Sequence, residues 1–368
     1  MRRWVWMNAW DVEGREPGEL IEELRECGLN GCSLGLSYHG GRMLLGRNTR
    51  RVVFEQRPGA LYFRADTARL PAGLRPEVAA EAAGAERFLR HCGLSGFDAQ
   101  AWVVLCHNDA LGSGAPELCV ENAFGEKYSY ALCPARERVQ EYCVEMCRQA
   151  AAVEGVSGLD IEALSWMGYE HQGLHEKRGV PLSKEAVWWL SICCCEACRA
   201  GTGDLRAEIA GRVRAWLDDP WSAVEAGFDE VAEWRAGVQR RLLARIREET
   251  AGARLNLRVA QERQWSGGKS TLSFGEAAGL ADEVTVTYFG SSTEGMESGL
   301  ARLPGKRALP VNGGFVFPGP DCGSADDVAK RLALLGRAGL DGWGFYGYGM
   351  AARPHWAWLR QALKGVRQ

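Results

Sequence analysis

The sequence lacks any apolar run approaching the about 20 residues that a membrane-spanning helix needs, so no membrane partner is expected. An excess of one charge sign is missing as well. Lys and Arg total 44 against 47 Asp and Glu, and the net charge of −3 offers no field for a phosphate backbone, which excludes nucleic acid as the expected partner. The opening residues, Met1 to Asn8, hold two arginines but no apolar leader core and no small-residue cleavage site. No low-complexity linker and no repeat beyond a strand–helix unit divides the chain. One domain spanning 1–368 is therefore expected.

What is present fits a globular protein with a large core: 46% of residues are hydrophobic and 25% charged. The 13 cysteines are odd in number, and four crowd into positions 193–198, which points to a metal site in a reducing cytoplasm instead of a secreted disulfide framework. The 14 tryptophans and nine tyrosines can serve both as core and as stacking platforms for sugars.

Eight runs rich in Val, Ile and aromatics, at 5–10, 31–36, 101–106, 158–163, 254–260, 283–289, 308–317 and 342–348, read as strands. Helical spacing separates and closes them at 18–27, 85–92, 135–152, 205–250, 274–282, 295–302, 325–338 and 355–363. Eight alternations predict an α/β fold, a closed (β/α)8 TIM barrel. Gly28, Gly93 and Gly339 fall where helices should end in left-handed caps. Residues 41–80 are extra to the barrel, and 52–55 with 60–63 around Arg57-Pro58-Gly59 predict an inserted β-hairpin, a lid-like insertion after strand two.

Cys193, Cys195 and Cys198 form C-x-C-x-x-C, whose tight turn lets thiolates reach one tetrahedral ion. Cys133, fixed by Pro134 at a helix start, is the preferred fourth ligand, with Cys119 in reserve. Four thiolates leave no open position, so such a zinc would clamp the loops of residues 121–198 and not activate water.

A Cys-Pro after strand three, a carboxylate ending strand four, then C-x-C-x-x-C: this arrangement resembles the zinc-containing microbial β-galactosidases of glycoside hydrolase family 42. The resemblance runs from about Glu121 to Cys198. It implies a structural zinc and a strand-four glutamate, here Glu162, as acid/base. In that clan an Asn precedes this Glu and a second Glu ends strand seven, whereas here Ile161 stands before Glu162 and strand seven has no Glu.

Chemistry in a parallel barrel sits at the C-terminal strand ends. In strand four, period two puts Asp160 and Glu162 on one inward face, where their mutual repulsion should raise one pKa; Glu162, nearer the rim, is the expected general acid/base. The structural alternative is a buried acid paired with an arginine such as Arg258. Asp321, Glu262, Asp109 and Asp11, after other strands, are the candidates for nucleophile or base. Asp160-Ile161-Glu162 with Tyr288 ending strand six is also similar to the D-x-E and Tyr of chitinase-like barrels, in which the substrate's acetamido group is the nucleophile.

Asn8, Trp10, His39, His107, Asn108, Tyr288, Asn312, Trp343 and Tyr346 are expected to bind substrate, with His171, His175, Gln261 and Tyr348 as further rim groups, because sugar hydroxyls and rings take planar polar partners and aromatic faces. The expected function is hydrolysis of a glycosidic bond in a small glycoside or oligosaccharide. Two alternatives stand beside it: a metal-assisted barrel hydrolase using His39, His107 and Asp109, or a carbohydrate-binding barrel without catalysis. A homo-oligomer is compatible with this reading.

Overall fold

The computed structural model describes residues 1–48, 50–171, 177–250, 252–316 and 322–365. Eight strands, β1 (Arg2–Asn8), β2 (Gly31–Ser37), β3 (Asp98–Val104), β4 (Gly158–Glu162), β5 (Arg254–Val259), β6 (Glu283–Thr287), β7 (Val311–Val316) and β8 (Gly342–Tyr346), pair in parallel with their sequence neighbours. β8 pairs with β1, Arg2 opposite Gly342 and Trp6 opposite Tyr346, which closes the barrel. All seven residues of β2 are buried, as both faces of a barrel strand must be: side chains fill the inside and helices cover the outside.

The expected helix at 85–92 extends over Ala82–Ser95, so Gly93 lies inside it and Gly96, at φ 65°, makes the left-handed cap. Gly93 is required for another reason: a Cβ there would stand 2.8 Å from the Cα of Gly155. The 205–250 stretch is two helices, Arg206–Asp218 and Asp229–Glu249. Between them Pro220 lacks the N–H an unbroken helix needs, and Gly227 and Phe228 are left-handed. After β5 the expected helix at 274–282 is only Phe274–Ala277.

The hairpin after β2 exists but pairs Gly41–Leu44 with Val53–Gln56. Residues 60–63, expected as its second strand, are buried beneath it and make only single bridges, Leu61 to Ser37 and to Val78. Four consecutive apolar side chains have no polar face to turn to water. A satellite core of Trp188, Trp189, Ile209, Val213, Trp216 and Phe228 forms among the helices that follow β4.

The N-terminal mouth of the barrel is plugged by a polar layer. Gln100 and Asn312 donate to Glu283 at 2.8 and 2.9 Å, Arg2 reaches the same carboxylate at 3.2 Å, and Thr285 donates to Asn256. The opposite mouth is where β4 ends in Glu162.

Candidate active site at the C-terminal mouth

Asp160 and Glu162 both point inward, and one guanidinium serves both. Arg258, the fifth residue of β5, donates to Asp160 Oδ1 and Oδ2 at 3.1 and 3.0 Å and to Glu162 Oε2 at 2.7 Å. It is sandwiched between the rings of Trp6 and Trp102, 4.8 and 4.7 Å from their centroids, an arrangement suited to a flat, weakly hydrated cation. The two indoles also donate: Trp6 to Asp160 Oδ2 and Trp102 to Glu162 Oε2, each at 2.6 Å, and Ser33 adds a third donor to Asp160 Oδ2.

Asp160 is fully buried. Burial alone would raise its pKa, but the Arg258 charge and the bonds from Arg258, Ser33 and Trp6 outweigh it and hold the carboxyl below its usual range. The structural alternative, an acid paired with Arg258, thus describes Asp160. Glu162 is paired too, yet its side chain keeps 20% exposure. Its Oε2 accepts two donors, whereas Oε1 lies against Gly268, 2.9 Å from where a Cβ would stand.

Above Glu162 the mouth is aromatic. Tyr38, just past β2, and Tyr346, the last residue of β8, join hydroxyls at 2.9 Å. Burial pushes Tyr346 up to about 12 and Tyr38 well above its ordinary value. Phe289 stacks on Tyr346 at 5.7 Å and meets Trp6 edge-on at 5.6 Å. The loop after β5 folds over this rim: Ala163 N–H donates to Gly268 O at 2.7 Å, and Lys269 Nζ donates to Thr287 O at 3.1 Å. Burial lowers the Lys269 pKa against the raising effects of Glu262 and Glu162. Beside it a 130 Å³ cavity is lined by Gln261, Glu262, Lys269 and Tyr288. An 840 Å³ groove runs from Glu262 past Trp265 to Trp188.

The other expected site residues divide. Tyr288 lines the small cavity, its hydroxyl pushed up to about 12 by burial, and Glu262 is exposed, with Arg302 at 3.8 Å. Asn8 ends β1 and is buried, its backbone N–H donating to Asp11 Oδ2 at 2.8 Å. Trp10 is not a sugar platform: it packs under the hairpin against Phe54 and Tyr62. Asn108 is a cap, accepting from Leu111 N–H at 2.9 Å and donating to Gly59 O. Asn312 and Trp343 are each the second residue of a strand, so they sit toward the N-terminal mouth, Asn312 in the polar plug and Trp343 in the core. Tyr348 is buried against Trp356. Asp321, His175 and the side chain of His171 lie outside the described residues.

His39, His107 and Asp109 do come together, at the ends of β2 and β3, with ligand atoms within 4.8 Å of one another. Trp6, Ser33, Trp102, Tyr38, Phe289 and Lys269 were not anticipated as site residues. Arg258 carried the usable signal, because a charge between Leu257 and Val259 in a buried strand has to be paired.

The cysteine expectation is met in geometry. Cys133 Sγ lies 3.5 Å from Cys198, 3.7 Å from Cys195 and 3.8 Å from Cys193, all buried. Zinc–sulfur bonds of about 2.3 Å in a tetrahedron place sulfurs about 3.8 Å apart, so the donor set fits a metal ion. Cys119 is outside the group, its thiol directed to Gly112 O. No disulfide joins cysteines among the described residues.

No protein-family model matches the chain, and no curated protein sequence matches it. Among solved structures it is similar to the catalytic domain of a β-amylase from Paenibacillus polymyxa (TM-score 0.58, 8% identity, 100% of this chain and 98% of that one). It is also similar to a β-galactosidase from the psychrophilic Marinomonas ef1 (TM-score 0.57, 10% identity, 100% of this chain). The chain spans 60% of the length of that β-galactosidase. At these identities the likeness is one of fold: the (β/α)8 barrel found in both.

Proposed function

We propose that the protein hydrolyses glycosidic bonds, with Glu162 as the acid/base. The observation that carries this reading is the setting of Glu162: a carboxylate ending β4, half-buried at the C-terminal mouth, pinned through Oε2 by Trp102 and Arg258. With one oxygen anchored, Oε1 gives its proton to the leaving oxygen and takes one back from water. Asp160 and Arg258 are the charged floor beneath it. As Glu162 gives up its proton, two carboxylates and one guanidinium leave this cluster one negative charge in excess, which favours the oxocarbenium-like centre developing above it. Tyr346 and Phe289 supply the apolar faces a sugar ring packs on. Glu262, across Lys269 from Glu162, is the candidate second carboxylate among the described residues, and the groove past Trp265 has room for an oligosaccharide.

Zinc at Cys133, Cys193, Cys195 and Cys198 is part of the same reading. It braces the loops after β3 and β4 and supplies no chemistry, because four thiolates close its coordination. Cysteines without disulfide partners and such a metal site suit a reducing cytoplasm.

The test is Glu162→Gln assayed on aryl glycosides and short oligosaccharides. Hydrolysis should fall by about 10²–10⁴-fold, the range of general acid–base catalysis, while sugar binding by calorimetry is retained. Undiminished turnover in this variant sinks the assignment, and absence of hydrolysis in the unmodified protein despite sugar binding favours a binding barrel.

A further inference from the structure

We infer that His39, His107 and Asp109 form a second metal site, open and separate from the four thiols, that takes a divalent first-row ion, Zn2+ ahead of Mn2+, at the C-terminal mouth. The ligand atoms come from the segments that follow two adjacent strands, with Asp109 opening the short helix after β3, and lie within 4.8 Å of one another. The two imidazoles stack with centroids 4.0 Å apart and planes 12° apart. Zinc bonds of about 2.0–2.1 Å to N and O need ligand atoms about 3.4 Å apart in a tetrahedron. In the stack the two ring lone pairs lie in nearly parallel planes, so an ion binds only as the imidazoles tilt toward one another.

The arrangement around these residues is that of held ligands. Gly40 orients two of them at once: its carbonyl lies 2.7 Å from His39 Nδ1, and its N–H donates to Asp109 Oδ2 at 2.9 Å. An imidazole whose Nδ1 proton goes to a backbone carbonyl presents Nε2 as a lone pair, the form that binds metal. Gln56 donates to the His39 carbonyl, and Asn108, between the other two residues, is fixed at both ends of its amide. Two imidazoles and one carboxylate select a first-row ion over Mg2+ or Ca2+, which prefer oxygen alone.

Three protein ligands leave coordination positions open, in contrast to the closed thiol site. Tyr38 stacks on His39 at 4.3 Å and meets Trp102 at 4.9 Å, and Trp102 donates to Glu162, so one aromatic layer separates this site from the acid/base. On the glycosidase reading, which this part of the inference rests on, the open positions chelate vicinal hydroxyls of the sugar and fix the ring over Glu162.

The experiment counts metal on the full chain, with no sugar present. Mass spectrometry of the purified protein and calorimetry with ZnCl2 and MnCl2 should find two equivalents per chain. His39→Ala and Asp109→Asn, at half-buried positions, should each weaken the second equivalent by about 100-fold and leave the first equivalent and the thermal midpoint unchanged. One equivalent in the unmodified protein, or two undiminished in both variants, overturns the site. The two readings fail separately: Glu162→Gln keeps the second equivalent, and a chain that binds it but cleaves no glycoside refutes the hydrolase without touching the metal. A KM that rises on loss of the second ion, with kcat little changed, supports hydroxyl chelation; an unchanged KM overturns that role.

Discussion

Arg258 Nη1 donates to Glu162 Oε2 at 2.7 Å, and the same guanidinium holds both oxygens of Asp160. The residue at the mouth and the buried floor therefore share one counter-charge. A substitution at Arg258 perturbs both carboxylates, and the buried one is read through the pH dependence of stability.

Arg258→Met removes the cation and leaves Asp160 buried and uncompensated. Breaking such a pair from one side costs about 3–5 kcal/mol. The native pair depresses the Asp160 pKa, so it contributes stability above the unfolded carboxyl value that is lost as pH falls through the folded value. In the variant the buried carboxyl takes a proton more readily. The gap in urea midpoint between the two proteins should be wide at pH 7 and narrower at pH 4; equal gaps at both would show that Asp160 does not depend on Arg258.

Gly268→Ala tests the placement of Oε1. The new Cβ would stand 2.9 Å from that oxygen, and the carboxylate cannot swing freely because Trp102 and Arg258 hold Oε2. The loop is tied as well, by Ala163 N–H on Gly268 O. Displacement of a reacting group by a fraction of an ångström should lower kcat by about 10- to 100-fold, with KM and thermal midpoint nearly unchanged. Unaltered kcat would mean that Oε1 does not exchange the proton.

The barrel was legible in the sequence because each strand is an apolar run between helical segments, and neither feature depends on distant residues. The thiol group was legible through C-x-C-x-x-C and the Pro after Cys133. Asn312 misled because a side chain's level in a barrel depends on where its strand begins: β7 starts at Val311 and not near 308, which puts Asn312 at the wrong mouth; β8 starts at Gly342 as expected, and Trp343, its second residue, was nonetheless expected at the rim. Trp10 misled because spacing cannot tell an aromatic that faces ligand from one that faces a hairpin. The sharing of Arg258 between two carboxylates is a contact across β4 and β5, and no local pattern encodes it.

Cys195→Ser tests the closed metal site. Zinc content should drop by one equivalent per chain, and the thermal midpoint should fall, because binding of the ion is linked to folding of the loops that carry its ligands. Below that midpoint kcat should persist, since a four-thiolate ion activates no water. Loss of turnover in a variant that is still folded would give the thiols a chemical role this geometry does not provide.

Asp11 lies 5% exposed beneath Gly349, and burial pushes its carboxyl up to about 7, against the lowering effect of backbone N–H bonds from Asn8 and Gly349. Its folded value is thus above the unfolded 3.8. Below the lower value both states are protonated and the fold bears no penalty; between the two, the unfolded chain ionises while the fold keeps its proton, and stability declines by up to about 1.4 kcal/mol per pH unit. Above the folded value the decline is complete. Asp11→Asn cannot ionise in either state, so the part of the slope between pH 4 and pH 7 that belongs to Asp11 should vanish. The variant should gain on the unmodified protein as pH rises, standing relatively higher at pH 8 than at pH 5 in urea unfolding. An offset that does not change with pH would mean that Asp11 is ionised in the fold, held by its backbone donors.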